Sequence, residues 1–324
     1  MRIVVPKEHT PGERRVAMSP SAISRLASDE MQFVVESGAG LAASHSDEEY
    51  REAGAEVVAD PAKLFEGADV VVKVNGPIER EDGIDEVDLI PPGALLIGQL
   101  QPHANAETLA RLADRGVTAF SMELMPRTTL AQRLQAIATA RRLGAVVEAF
   151  DIRPAAKEQV QSLGARFVEW EGGEDTETEG GYAKEVSEEE QEHERQLLTE
   201  HIAKSDVVIT TALVPGRRAP ILITSEMVDV MRPGSVIVDL AAPAGGNCEL
   251  TEPGETVVRN GVRIMGPTDL AAAVPLHGSQ MYSKVLSNLL SYLVNDDGEL
   301  VIDLDNDITG ACVVTHDGTV RYES

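Results

Sequence analysis

A chain of 324 residues, 43% hydrophobic and 25% charged, is long enough for two domains with their own cores, and no stretch approaches the roughly 18 to 20 apolar residues a membrane helix needs. Its 54 acidic residues against 28 basic ones give a net charge of −26, a surface that repels nucleic-acid phosphates and anionic lipid. Two cysteines and seven scattered histidines give neither a disulfide framework nor metal-ligand spacing, so no metal site is expected and both thiols are read as free. The opening MRIVVPKE has a strand pattern rather than that of a signal peptide, which points to a cytosolic chain. The acids are spread along the sequence, which fits adaptation to high salt better than an acidic face for a basic partner.

Strands are predicted at 3–6, 33–36, 70–74, 95–99 and 117–121, with helices at 20–28, 47–54 and 105–115 between them. This alternation implies a parallel sheet covered on both faces. A second series follows, with strands at 146–150, 166–169, 206–210, 235–240 and 262–265. Glycines 144, 164, 234 and 261 stand just before four of them, as helix-ending glycines do. Between 170 and 195 lies a glycine-rich acidic stretch followed by a charged helix, either a solvated excursion or a functional lid. The helix expected at 279–293 is followed by short strands at 300–303 and 311–316, with turns at Asp297-Gly298 and Asp317-Gly318. This tail is too short for a domain and is expected to dock back onto the first one. The expected domains are 1–126 plus 279–324, and 127–278.

The segment LAQRLQAIATARRLGAVVEAFDIRP at 130–154 reads as helix, buried strand and strand-ending acid, Asp151. That is the second half of a dinucleotide-binding βαβ unit, with the acid where an adenosine ribose would sit. The glycine-rich phosphate turn that should precede the helix is missing: the residues before it are MPRTTLAQR. G-x-G-x-x-G occurs nowhere. ESGAG at 36–40 and the double glycine 245–246 read as turns rather than phosphate loops.

PKEHTPGERRVAMSP at 6–20, KVNGP at 73–77, MPRTTLAQ at 125–132, GGYAKE at 180–185, SDVVITTALVPGRRAP at 205–220 and VDLAAPAGGNCELTEPG at 238–254 resemble the superfamily of alanine dehydrogenases and proton-translocating NAD(P) transhydrogenases. The later blocks are similar to the NAD(H)-binding alpha subunit of the transhydrogenases. Alanine dehydrogenases place a histidine after the strand at 95–99 and an aspartate before the double glycine. Here His103 is out of register and Pro243 stands in the second place. The acid–base pair that an amino-acid dehydrogenase needs is thus absent, whereas hydride transfer between two nicotinamides needs none.

The resemblance implies an α/β fold of two Rossmann-like domains with parallel sheets, the second lacking its first strand and Gly-rich turn. It implies NAD(H) on this chain, NADP(H) on a partner subunit, a homodimer, and membrane-spanning subunits that hold the chain at the inner face of the cell membrane. Arg127, with Thr128 and Thr129, would hold the nicotinamide end, and Gln132 would bridge the two nucleotides. On the residues alone, Arg127 reads as a surface arginine closing a domain. Asp151, followed by Ile152 and Arg153, would bind the adenosine ribose and reject a 2′-phosphate. Gly181 and Tyr182 would belong to a loop closing over the cofactor, and Ala212 and Leu213 would line the nicotinamide pocket. Lys73 and Arg15, carboxylate binders in alanine dehydrogenases, are read as structural remnants.

Relative to that family, an interdomain helix, a strand and the glycine turn are missing at the junction near 133/134. Loss of a central strand either leaves two sheet edges unpaired or forces them to close on each other. Three readings follow: an NAD(H)-binding transhydrogenase subunit, a non-catalytic deletion product acting as a dimerisation or interaction protein, or an alanine dehydrogenase-like enzyme.

Overall fold

The computed structural model describes residues 1–125, 131–151, 155–169, 188–213, 217–295 and 298–322, with backbone only at 131–135, 155 and 188–194. In chain order the strands are β1 (Arg2–Val5), β2 (Gln32–Glu36), β3 (Glu56–Val58), β4 (Val70–Asn75), β5 (Leu95–Gln99), β6 (Thr118–Ser121), β7 (Glu148–Ala149), β8 (Arg166–Phe167), β9 (Val207–Thr210), β10 (Val236–Asp239), β11 (Thr256–Arg259), β12 (Val262–Met265), β13 (Val313–His316) and β14 (Thr319–Val320). The helices are α1 (Pro20–Leu26), α2 (Asp47–Glu52), α3 (Pro61–Phe65), α4 (Glu86–Leu89), α5 (Ala106–Asp114), α6 (Ala131–Arg142), α7 (Ala155–Ser162), α8 (Glu188–Ile202), α9 (Ser225–Asp229), α10 (Leu270–Ala273), α11 (Pro275–Leu293) and α12 (Asp307–Cys312). The chain divides into one unit of Met1–Pro126 with Asp269–Ser324, and another of Arg127–Thr268.

In the first unit the sheet order is β14-β13-β6-β5-β4-β1-β2-β3. β1 to β6 are parallel; β13 lies antiparallel on β6, and β14 on β13. The period of two along each strand sends alternate residues to opposite faces. Ile3, Val5, Phe33, Val35, Val72 and Ile97 face one core, which α11 closes with Leu286, Leu289, Leu290 and Leu293. Val4, Val34, Val71 and Leu96 face the other, closed by α3, α4 and α5 through Leu64, Phe65, Val87, Leu109 and Leu112. Each such side chain contributes about 1.5–3 kcal/mol on burial.

The return to this unit falls at Asp269, earlier than 279, because α10 and the start of α11 pack here. A Cβ on Gly278 would lie 2.8 Å from the Ala271 carbonyl oxygen and 3.0 Å from Cδ of Arg15. Further along α11, Ser279 Oγ accepts from the Val16 amide at 2.9 Å and Ser283 Oγ from the Ser19 amide at 2.8 Å. The strand expected at 300–303 does not form; Val294 and Leu300 make only an isolated bridge. Its apolar residues, Leu300 and Ile302, pack instead on the core under α11. The Asp317-Gly318 turn joins β13 to β14 with φ of 47° and 73°, the left-handed pair a two-residue hairpin requires. In the ESGAG turn, a Cβ on Gly40 would lie 2.7 Å from the ring of buried Tyr50, so this glycine serves packing.

The second unit has two sheets where a doubly wound fold has one. The larger has the order β11-β12-β10-β9 and the smaller is β7-β8. β9, β10 and β12 are parallel, as are β7 and β8. β11 lies antiparallel on β12 at the edge; insert one parallel strand between β7 and β9, and β8, β7, the new strand, β9, β10 and β12 take the order 3-2-1-4-5-6. Among the described residues the two edges flanking that place are unpaired rather than closed on each other. Val207 and Ile209 of β9 are 58% and 50% exposed. Ile137, Val160 and Ala165 make a small core for β7, β8, α6 and α7, while Ile223, Met227, Val228, Ile237, Val262 and Ile264 make the larger one. Both cysteines are buried and free.

Candidate functional site

Parallel α/β sheets bind ligands at the carboxyl ends of their strands. In the second unit that rim carries three of the expected residues: Asp151 just past β7, and Ala212 and Leu213 just past β9. Asp151 is half-buried and already has an interaction partner. Leu213 is 48% exposed. Arg127, Thr128, Thr129, Ile152, Arg153, Gly181 and Tyr182 lie outside the described residues, and Gln132 falls on α6 with its side chain outside them.

Behind this rim is a hub that the sequence reading missed. Asp239, fully buried at the end of β10, accepts through Oδ1 from Thr210 Oγ1 at 3.0 Å and the Ala241 amide at 3.0 Å. Its Oδ2 accepts from the Asn247 amide at 2.7 Å, the Cys248 amide at 3.0 Å and Thr251 Oγ1 at 2.6 Å. These five donors satisfy both oxygens of a side chain that would otherwise be costly to bury. Asn247 in turn clamps Ala212: its Oδ1 accepts from the Ala212 amide at 2.9 Å and its Nδ2 donates to the Ala212 carbonyl at 2.9 Å. The chain at 212–213 is therefore fixed through Asn247 to Asp239. Gly246 is part of this device, with φ of 80°; a Cβ there would lie 2.9 Å from Asp239 Oδ2. The double glycine is thus a turn needed by the hub. A signal was present in VDLAAPAGGN, where an acid ending a strand precedes a tight turn and an amide.

In the first unit the order β4-β1 reverses the direction of sheet growth, which makes their carboxyl ends the crevice of this sheet. It is filled by the protein's own charges. Lys73, 1% exposed, has its Nζ 2.9 Å from Glu86 Oε2 and 3.7 Å from Glu8 Oε2. Burial works to lower the pKa of the ammonium, and Glu8 and Glu86 overcome it and raise it. Burial raises the pKa of Glu8 against the pull of Lys73 and the Val74 and Asn75 amides. Arg15 makes a two-point contact with Glu13, at 2.8 Å from Nε and 2.6 Å from Nη2. Burial opposes the ionised Glu13, but the Arg15 and Asn75 hydrogen bonds leave its pKa lowered. Both cations are thus paired with carboxylates of the chain itself. His103 sits in a turn after β5, exposed, and Pro243 lies in the turn after β10.

A cleft of about 500 Å³ lined by Arg141, Val146, Val147, Gly164 and Arg166 opens at the amino ends of β7 and β8. That is the end of this two-stranded sheet away from Asp151. Among the described residues no group of His, Cys, Asp and Glu is placed to hold a metal ion, and no helix is long and apolar enough to cross a membrane.

Two α/β units with mainly parallel sheets, one of them carrying an acid and an apolar rim at its strand ends, define a chain of the Rossmann-like class. The chain belongs to the alanine dehydrogenase/PNT family: the model of the family's N-terminal domain matches residues 4–142 and that of its C-terminal domain matches 133–323. It is 40% identical to an NAD(P) transhydrogenase alpha subunit of Rhodospirillum rubrum over 376 aligned positions, covering 99% of this chain and 98% of that one. It is 30% identical to an alanine dehydrogenase of Bacillus subtilis, covering 100% of this chain and 93% of the other. The transhydrogenase structure from Sinorhizobium meliloti superposes with a TM-score of 0.82 at 37% identity, covering 99% of this chain and 100% of that chain. The Rhodospirillum alignment is longer than the 324 residues of this chain, so that relative carries residues this chain lacks.

Proposed function

We propose that this chain is an NAD(H)-binding alpha-type subunit of a proton-translocating transhydrogenase, in which hydride passes directly between NAD(H) and an NADP(H) held by a partner subunit. The first unit, with the tail, would be the supporting domain and the second would be the NAD(H) domain. The subunit would work as a homodimer at the inner face of the membrane, on membrane-spanning partners. The observation that carries this reading over an amino-acid dehydrogenase is the internal neutralisation of Lys73 and Arg15 by Glu8, Glu86 and Glu13. Pro243 in place of an acid supports it further.

The described residues match the cofactor unevenly. Asp151 suits a ribose with free hydroxyls, and Ala212 and Leu213, fixed through Asn247, suit an apolar ring. The pyrophosphate lacks a fit: α6 is the helix that would receive it, and the residues before it contain no glycine turn. Arg127 with Thr128 and Thr129, Gln132, Ile152, Arg153, Gly181 and Tyr182 remain assigned by resemblance.

The test is the melting temperature of the full chain with saturating NADH, at low and high salt. A saturable rise supports the NAD(H)-binding reading. No rise together with a cooperative melt would favour the second reading, a non-catalytic dimerisation or interaction protein, to which the divided sheet lends support. NADH oxidation that depends on pyruvate and ammonia would overturn both in favour of an alanine dehydrogenase.

A further inference from the structure

Helix α11 is apolar on two sides. Its inner residues Leu286, Leu289, Leu290 and Leu293 close a core of the first unit. Four further apolar side chains, Val274 at its N-cap and Met281, Val285 and Tyr292 along it, are between 44% and 63% exposed. At roughly 100° per residue the four share an arc of about 40°, which makes one narrow outward stripe. Scattered exposed apolar residues need no explanation, but four in one line mark a contact surface. Met and Tyr are also residue types enriched at such surfaces.

The outward stripe reads the same from either end. Val274 and Tyr292 stand nine residues either side of Ser283, and Met281 and Val285 stand two either side. Gly278 and Asn288 stand five either side, next to the same stripe. A two-fold interface needs such a self-matching surface, since residue i meets j and j meets i. The charge pattern agrees. From Leu270 to Asn295 there is no acid, whereas 54 of the 324 residues of the chain are acidic. Two copies of net charge −26 repel over most of their surface and can approach where acids are absent. A basic partner would be drawn to the acid-rich remainder instead.

We propose that the outward stripe of α11 is a contact between two copies of this chain, packed antiparallel about a two-fold axis near Ser283. In that register Met281 of one copy meets Val285 of the other, Val274 meets Tyr292, and Gly278 leaves room for Asn288. Burial of the four apolar side chains from each copy drives the association, and salt strengthens it by screening the repulsion of the acids. The inference rests on the homodimer in the reading above and gives it a surface; NAD(H) binding does not enter.

The test is sedimentation equilibrium of the full 324-residue chain at low and high salt, without nucleotide. A dimer that tightens with salt is expected. Met281→Lys and Val285→Glu should each weaken it at least about thirtyfold by placing a charge in the contact. Both sites are exposed, so the melts should stay cooperative. Mixing the two variants should restore the affinity as a heterodimer, because the introduced ammonium of one copy then meets the introduced carboxylate of the other. Val274→Glu and Tyr292→Lys repeat the test should either variant fail to fold. A chain that stays monomeric at high salt would leave the stripe to another partner and overturn the proposal. A dimer indifferent to the variants, or variants that mixing does not rescue, would overturn it while leaving the homodimer in place. Cofactor binding is read separately, from the melt of the unaltered chain with NADH, so each reading fails on its own.

Discussion

The two units start from the same plan and end differently. In the first, six parallel strands stay in one sheet, and helices cover both faces with two cores. In the second, the strands on either side of a missing position form separate sheets, with a small core under one and a larger core under the other. Side-chain packing holds each fragment together, yet nothing in packing alone makes the edges pair. Strand pairing is local to each neighbour, so loss of a central strand removes two ladders at once and leaves the outer ladders intact.

The largest effect is expected where the first unit buries charge. Glu86→Ala should destabilise that unit by about 3–5 kcal/mol in urea unfolding, because Lys73 would lose its nearest partner while still buried. Leu290→Ala, which empties the middle of the α11 stripe, should cost about 2–5 kcal/mol by the same measurement. In the second unit, Asp239→Asn keeps the shape but weakens five contacts, and about 1–3 kcal/mol is expected, with faster amide exchange at Ala212. Ile209→Thr on the free edge should change stability by less than about 0.5 kcal/mol while reducing aggregation on heating. A large loss there would mean that β9 is buried and that the contrast between the units is false.

The buried charges also set a pH dependence. Because burial raises the pKa of Glu8 above the ordinary 4.5, the folded state holds that proton more tightly than the unfolded one. Its contribution is complete below the unfolded pKa and is lost as pH rises through the folded pKa. Glu8→Gln should therefore flatten a fall in stability from pH 4.5 upward, read as the difference between the two unfolding curves. A difference that grows in the opposite direction would contradict the burial argument.

Much of this was legible in the sequence, for reasons that differ by element. The run VVVKVN forms β4 because a strand covered on both faces is apolar almost throughout. The junction at 133/134 stood out because both its flanks resemble the family pattern, and the strand order of the second unit leaves place for one strand between β7 and β9. The strand expected at 300–303 failed because apolar alternation seats Leu300 and Ile302 on a core without any ladder to join. Asp239 went unread since a strand-ending acid has many uses, and its donors come from residues brought together only by the turn at Gly245-Gly246. Of the site, Asp151, Ala212 and Leu213 are found at the strand ends, and the meaning of Lys73 and Arg15 came only with the acids packed on them.

Residue-resolved hydrogen exchange on the full chain, without nucleotide, tests the central claim most directly. With an open sheet, the amides of Val208 and Thr210 should be protected by β10, while those of Val207 and Ile209 exchange at least about tenfold faster. Equal protection along β9 would mean that the edges have closed, on each other or on another chain, and would contradict the division of the second unit.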